Sequence, residues 1–105
     1  ESFAGDWGMA WSSVDMRDVG GVAAAIADAR ARGAADVLVW LEMPTNPMLR
    51  ICDVTAISAA ARRAGAMVVV DSTWLSPALC RPLRLGADFV LHSLTKYIGG
   101  HSDLL

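Results

Sequence analysis

The chain has 105 residues, a formal net charge of -2, and a composition that is 54% hydrophobic but only 19% charged. It has no basic cluster that could neutralise a row of nucleic-acid phosphates, and no apolar run long enough to cross a bilayer. The apolar content is high for so short a chain, because a small domain buries only a modest share of its surface. We therefore expect residues 1–105 to be a partial domain, an internal fragment of a longer protein.

Helical and extended patterns alternate in the first half of the chain. Asp18 can cap a helix whose apolar residues recur at helical spacing, and Gly33 can end it. Residues 37–41 (VLVWL) form an apolar run of strand length, which suits a sheet covered on both faces. Two prolines within residues 42–47 predict a loop after this strand.

The second half repeats the same order of elements. Asp53 can cap a second helix that ends at Gly65. Residues 66–70 form another apolar run, and it leads to Asp71. An irregular stretch around two prolines separates this strand from a third, predicted at residues 88–92. Helices between buried strands predict a parallel α/β sheet with right-handed connections.

Polar residues follow each predicted strand, at residues 42–46, 71–73 and 93–96. Ligands of open parallel sheets bind beyond the carboxyl ends of the strands, so these residues would line one crevice. An asparagine, an aspartate, hydroxyls and a lysine suit pyridoxal phosphate: its aldehyde condenses with an amine, its protonated ring nitrogen pairs with a carboxylate, and its phosphate accepts hydrogen bonds. From the pattern alone, a solvated lysine, a strand-end cap and local turn residues remain open alternatives.

Four further segments are distinctive when taken together and in order. They are LEMPTNP at residues 41–47, VVDSTWLSP at 69–77, PLRLGAD at 82–88 and HSLTKYIGGHSD at 92–103. These segments resemble the pyridoxal-phosphate-dependent family of cysteine and methionine metabolism, or transsulfuration. Cystathionine gamma-synthase, cystathionine gamma- and beta-lyases, methionine gamma-lyase and the O-acetylhomoserine sulfhydrylases belong to this family. The resemblance is dense from residue 37 onward and thin before it.

This resemblance implies both a fold and an assembly. The fold would be α/β, the aspartate-aminotransferase-like (fold type I) large domain with three α/β/α layers, of which residues 1–105 are a part. The full-length protein would be a homotetramer of two active dimers. It would act on small amino-acid substrates, with no nucleic-acid or membrane partner.

The resemblance also implies a role for each residue that matches a family motif. Lys96 would hold the cofactor as an internal aldimine and then move protons, and Asp71 would pair with the pyridine nitrogen. Ser93 and Thr95 would contact the phosphate. Asn46 would lie near the cofactor's 3-hydroxyl and the substrate carboxylate. The catalytic residues would thus be Lys96 and Asp71, with all five residues binding pyridoxal 5'-phosphate.

The implied reaction forms or cleaves cystathionine, by elimination or replacement at the gamma or beta carbon of sulfur-containing or activated homoserine amino acids. Methionine gamma-lyase, an O-acetylhomoserine sulfhydrylase and a non-catalytic remnant remain alternatives. A dinucleotide-binding module is disfavoured because no glycine fingerprint follows a strand. The chain departs from the family at Ser72, where asparagine is commoner, and at Leu94, which is often smaller. The ring-stacking tyrosine, the phosphate-binding glycine loop and the substrate-binding arginine would lie outside this chain.

The remaining chemically distinctive residues receive structural interpretations. Cys52 and Cys80 lack metal or redox spacing, so we expect free thiols in a reducing compartment, the cytoplasm. His92 and His101 have no acidic partners at ligand spacing, and we predict structural histidines and no metal site. The four tryptophans are predicted to fill the core or an interface: Trp7, Trp11, Trp40 and Trp74.

Overall fold

The computed structural model describes residue 5 and residues 7–101, so Ser102 and Asp103 of the last family-like segment lie outside it. Within that part of the chain, three strands form one parallel sheet in the order β1-β2-β3. The strands are β1 (Leu38–Glu42), β2 (Met67–Asp71) and β3 (Phe89–Leu91). The helices are α1 (Val19–Ala31), α2 (Val54–Arg63) and the short α3 (Ser76–Leu79), accompanied by a 3-10 turn (Pro82–Leu85) and a wide helical turn (Leu94–Ile98).

Both long helices begin at the residues that the sequence predicts. The Asp18 carboxylate accepts a hydrogen bond from the backbone N–H of Gly21, and the Asp53 carboxylate accepts one from Ala56. Each bond satisfies an N–H that has no partner within its own helix, which stabilises the helix start by about 1 kcal/mol. A left-handed glycine follows each helix, as expected, with φ of 91° at Gly33 and 67° at Gly65.

The region between β2 and β3 is more regular than expected. Instead of an irregular stretch, it contains α3 and the 3-10 turn, each with a proline in its first turn. Proline presets a helical φ and lacks only an N–H that the first turn leaves unbonded, so both prolines fit there.

The helices α1 and α2 cover one face of the sheet. Val39, Leu41, Val68 and Val70 point into this core and are at most 7% exposed, and Ile57 of α2 is fully buried. Removing such apolar surface from water stabilises a fold by about 25 cal/mol per Å². None of the helices in the described residues is long and apolar enough to cross a membrane.

The opposite side of the sheet, which we call the uncovered face, carries large apolar side chains that stay exposed in the described part of the chain. They are Leu38, Trp40, Met67, Phe89 and Leu91, with Trp40 and Phe89 each 53% exposed. The sequence predicts helices on both faces, and residues 7–101 provide those of one face. All four tryptophans are exposed as well, so they do not fill the core of this part of the protein, and their predicted place in an interface stays a prediction.

Candidate active site

The carboxyl ends of the three strands meet at one edge of the sheet. Glu42, Asp71 and Leu91 occupy matching positions in the parallel ladders. The ladders continue one residue further, because the N–H of Met43 donates to the Asp71 carbonyl at 3.0 Å and the N–H of Ser72 donates to the Leu91 carbonyl at 3.0 Å. The loops that follow β1, β2 and β3 therefore leave the sheet side by side.

Asp71, the last residue of β2, has a carboxylate that is fixed at one oxygen and free at the other. Its Oδ1 accepts hydrogen bonds from the Thr73 backbone N–H at 3.0 Å and from the Thr73 hydroxyl at 2.6 Å. Its Oδ2 receives no hydrogen bond from any residue that the structure describes. Side chains alternate along a strand, which places Asp71 on the uncovered face. A half-buried carboxylate needs donors, and Thr73 supplies two while leaving one oxygen available.

Thr73 also ties the end of β2 to the segment after β3. Its hydroxyl oxygen accepts a hydrogen bond from the backbone N–H of Ser93 at 2.9 Å. Asp71, Thr73 and Ser93 thus form one hydrogen-bonded chain across two neighbouring strand ends.

The loop after β1 has its own internal support. The Glu42 carboxylate accepts a hydrogen bond from the Asn46 backbone N–H at 3.0 Å. Further on, the Thr45 hydroxyl accepts one from the Arg50 N–H at 3.0 Å. Cis peptide bonds precede Pro44 and Pro47. Asn46 itself is exposed, at the same edge of the sheet as Asp71.

Lys96 lies in the turn that follows β3, and it is the only lysine of the 105 residues. Its backbone departs from helical geometry, with φ of -91° and ψ of -126°, and this interrupts the turn at the lysine. Its side chain is exposed and forms no ion pair or hydrogen bond with the residues that the structure describes. Thr95 beside it is half-buried.

The structure thus brings the predicted site residues together to different extents. Asp71 and Ser93 are joined through Thr73, whereas Asn46 is held by Glu42, the ladder neighbour of Asp71. Lys96 shares their edge of the sheet but forms no hydrogen bond or ion pair with Asp71. Sequence reasoning assigned no role to Thr73 or Glu42. The signal was nevertheless present, because both lie in the polar stretches that follow the strands.

Ser72, the departure from the family's commoner asparagine, is fully buried, and alternation along the strand places it on the helix-covered side of the sheet, away from Asp71. Its hydroxyl has no hydrogen-bond partner within the described residues, and neither does Nδ1 of His92. The substitution therefore changes the packing beneath the site without placing a new group beside the Asp71 carboxylate.

The pKa values of Asp15, Arg17 and Cys52, which lie elsewhere in the described residues, are shifted. Hydrogen bonds from the Arg17 side chain and backbone hold the pKa of Asp15 well below its usual range. Burial raises the pKa of the Cys52 thiol, which disfavours the reactive thiolate. Cys52 is half-buried and Cys80 is buried, and both are free, as the sequence predicts.

Residues 1–105 match the model of a family described as Cys/Met metabolism PLP-dependent enzyme. The chain belongs to this family. Among curated relatives, cystathionine gamma-synthase of Mycobacterium tuberculosis (strain ATCC 25618 / H37Rv) is 52% identical over 99 residues, which make up 94% of this chain and 24% of that protein. The chain therefore spans about a quarter of the length of this relative.

Solved structures of family members have the same fold. Apo CalE6, a methionine gamma lyase from Micromonospora echinospora, matches with a TM-score of 0.86 and 44% identity over 99% of this chain and 27% of its own. Cystathionine gamma synthase from Xanthomonas oryzae pv. oryzae, in complex with cystathionine, matches with a TM-score of 0.82 and 46% identity over 99% of this chain and 25% of its own.

These matches confirm the predicted family and the α/β fold type I class, with a parallel sheet. The family depends on pyridoxal phosphate, which confirms the predicted cofactor. The roles of the five site residues stay predictions: Lys96, Asp71, Ser93, Thr95 and Asn46.

Proposed function

We propose that the full-length protein is a pyridoxal-phosphate-dependent transsulfuration enzyme that forms or cleaves cystathionine. The observation that carries the proposal is the Asp71 carboxylate, held at Oδ1 by Thr73 and without a hydrogen bond at Oδ2 from the described residues, at the sheet edge that also carries Lys96. The similarity to cystathionine gamma-synthases supports the choice of substrate.

The residues present fit the cofactor. The free Oδ2 of Asp71 is an acceptor for the ring N–H, and a carboxylate there holds that proton on the nitrogen. Hydroxyls of Ser93 and Thr95 are donors suited to phosphate oxygens, and the Asn46 amide is suited to the 3-hydroxyl and a substrate carboxylate. Lys96 is an exposed amine on a flexible stem, which can reach and leave a carbonyl carbon.

When bound, pyridoxal phosphate supplies a carbonyl carbon that reacts with amines and a ring that withdraws electrons from the substrate's alpha carbon. The chain's own residues would anchor the cofactor and move the protons. Lys96 Nζ would anchor the cofactor, and once displaced by the substrate amine it would remove the alpha proton. Asp71 would keep the ring nitrogen protonated throughout, because Thr73 fixes the orientation of its carboxylate.

Several further properties follow from the family resemblance. Residues 1–105 would form part of the large cofactor-binding domain of a longer chain. The enzyme would be a homotetramer of two active dimers, with residues from the partner subunit completing each site, and would work in the cytoplasm. Its substrates would be small sulfur-containing or activated homoserine amino acids.

A methionine gamma-lyase activity is the second candidate, since the methionine gamma lyase CalE6 has the same fold at similar identity. An O-acetylhomoserine sulfhydrylase and a non-catalytic remnant are the remaining alternatives. The purified full-length protein, supplied in turn with cystathionine, methionine, and O-succinyl- or O-acetylhomoserine plus cysteine or sulfide, separates these activities by its products.

The cofactor assignment is tested by borohydride reduction of the full-length protein after incubation with pyridoxal phosphate, followed by peptide mapping. Because residues 1–105 contain one lysine, any label within them has to be on Lys96. We expect a visible absorbance band and a labelled Lys96 peptide, both absent in Lys96→Arg, which keeps the positive charge but cannot condense with the aldehyde. A label confined to lysines elsewhere in the protein would refute the assignment of Lys96.

A further inference from the structure

The Thr73 hydroxyl connects two parts of the site that are distant in sequence. Its proton is donated to Asp71 Oδ1 at 2.6 Å, and its oxygen accepts from the Ser93 N–H at 2.9 Å. The two bonds span the ends of neighbouring strands, β2 and β3. One side chain therefore contacts both the carboxylate proposed for the cofactor ring and the segment proposed for its phosphate.

A turn-forming role for Asp71 does not account for both bonds. An aspartate that accepts from the backbone N–H two residues later forms a common turn, and the bond from the Thr73 N–H at 3.0 Å is of that kind. That turn needs no hydroxyl at residue 73 and does not involve Ser93. The bond to Ser93 joins residues that are 20 positions apart and depends on the hydroxyl alone.

We propose that Thr73 is a positioning residue that couples Asp71 to Ser93, so that the ring-binding and phosphate-binding ends of the cofactor site keep one fixed spacing. The proposal rests on the proposed function, because it concerns how this chain receives pyridoxal phosphate. Thr73 itself acts through Asp71 and Ser93, with no contact to the cofactor required.

The coupling has a direct physical basis. With the hydroxyl present, Oδ1 accepts two hydrogen bonds, which resists rotation of the carboxylate and keeps Oδ2 free for the ring. The same hydroxyl gives the Ser93 N–H its acceptor, because the parallel ladder does not supply one at that position. Valine is nearly isosteric with threonine but has no hydroxyl. Thr73→Val therefore removes the side-chain bonds to Asp71 and Ser93 together, while the backbone N–H of residue 73 can still donate to Asp71.

The first test uses the full-length apoprotein and amide hydrogen exchange at Ser93, which needs neither cofactor nor activity. Thr73→Val should raise the exchange rate of the Ser93 N–H, and Thr73→Ser, which keeps the hydroxyl, should leave it near that of the wild type. Thr45→Val is the matched control: it removes a hydroxyl that accepts from the Arg50 backbone N–H in the loop after β1, rather than from Ser93. That control should leave Ser93 exchange unchanged.

The second test is titration of the same proteins with pyridoxal phosphate, followed by absorbance. We expect Thr73→Val to weaken binding by about tenfold, which is about 1.4 kcal/mol and within the range for the net contribution of one hydrogen bond. Thr73→Ser should stay within about threefold of the wild type, on the same scale. Exchange at Val70, inside β2, reports global unfolding. If Val70 exchange also rises in Thr73→Val, Thr73→Ala replaces it, with the same expectations.

The outcomes separate this proposal from the proposed function. A wild type that binds the cofactor, combined with a folded Thr73→Val that binds it equally well, would overturn the coupling role alone. Unchanged Ser93 exchange in a folded Thr73→Val would do the same. A wild type that does not bind pyridoxal phosphate would overturn the proposed function, and the coupling role with it, even where Ser93 exchange still responds to Thr73. Faster Ser93 exchange together with weaker binding supports the coupling.

Discussion

The two central residues of the candidate site, Asp71 and Lys96, are held in opposite ways. Asp71 ends β2, the middle strand of the three that the structure describes, is half-buried, and receives two hydrogen bonds from Thr73 at a single oxygen. Lys96 lies in an interrupted turn after β3, with an exposed side chain and no partner within the described residues. The carboxylate is fixed before any ligand arrives, and the amine is not.

The contrast follows from the chemistry of the two groups. A carboxylate that leaves water needs donors, so its orientation has to be built into the fold. An ammonium on a four-carbon stem stays hydrated at little cost and keeps its freedom to rotate. The proposed roles need this division, because Asp71 would hold one proton in place, whereas Lys96 would bond to the cofactor, leave it, and move protons. The following predictions concern the full-length protein.

Removal of the Lys96 amine, the mobile group, should have the largest effect on turnover. Lys96→Ala should lower the turnover of cystathionine or its precursors by at least about a thousandfold, because it deletes both the covalent anchor and the proton-transferring amine. The measurement is steady-state product formation in the presence of excess pyridoxal phosphate. Lys96→Arg, with the charge kept, should be equally inactive. Substantial turnover by either variant would show that another group carries the chemistry.

Removal of the charge on Asp71, the fixed group, should have the next largest effect on turnover. Asp71→Asn keeps the shape and an oxygen that can accept both bonds from Thr73, but it cannot hold the ring nitrogen protonated. Turnover should fall by about a hundredfold, as is typical when one partner of a desolvated charge pair is neutralised. The folded state should be unaffected, so circular dichroism is the control. Full activity of the Asp71→Asn variant would mean that Asp71 serves only as a turn former.

Deletion of the Asp71 carboxylate should lower the stability of the folded protein as well as its turnover. In Asp71→Ala the Thr73 N–H loses its acceptor and the Thr73 hydroxyl loses the group to which it donates. We expect the urea midpoint of the apoprotein to fall by the equivalent of about 1–3 kcal/mol, the cost of leaving buried polar groups unpaired. Asp71→Asn provides the control, since it keeps an acceptor. An unchanged midpoint in the alanine variant would show that solvent replaces the carboxylate without penalty.

The same contrast explains how much of the site was accessible from sequence. Local signals were sufficient for the helix starts at Asp18 and Asp53, whose caps bond within their own first turns. They were also sufficient to place polar residues after each strand. They did not reveal that Thr73 meets Ser93, because that contact depends on the register between β2 and β3, which pairs residues 20 positions apart.

The uncovered face illustrates a second limit. The apolar runs of β1 and β2 predict a sheet buried on both sides, but a run of apolar residues does not identify the elements that cover it. The described residues supply α1 and α2 for one face and leave Trp40 and Phe89 of the other exposed. The backbone break at Lys96 was equally invisible, because residues 94–98 have a helix-compatible composition and no proline or glycine among them.

The smallest effect is expected for the stability of the apoprotein when the mobile group is removed. Lys96 is exposed and makes no hydrogen bond or ion pair with the described residues, so its deletion leaves no buried group unsatisfied. Lys96→Ala should therefore shift the urea midpoint by no more than the equivalent of about 0.5 kcal/mol, the usual range for surface substitutions. Combined with its loss of turnover, this would separate catalysis from stability at Lys96, whereas Asp71→Ala should impair both. A midpoint loss as large as that of Asp71→Ala would mean that the rest of the protein holds the Lys96 ammonium in a fixed contact, and the amine would then not be the mobile half of the site.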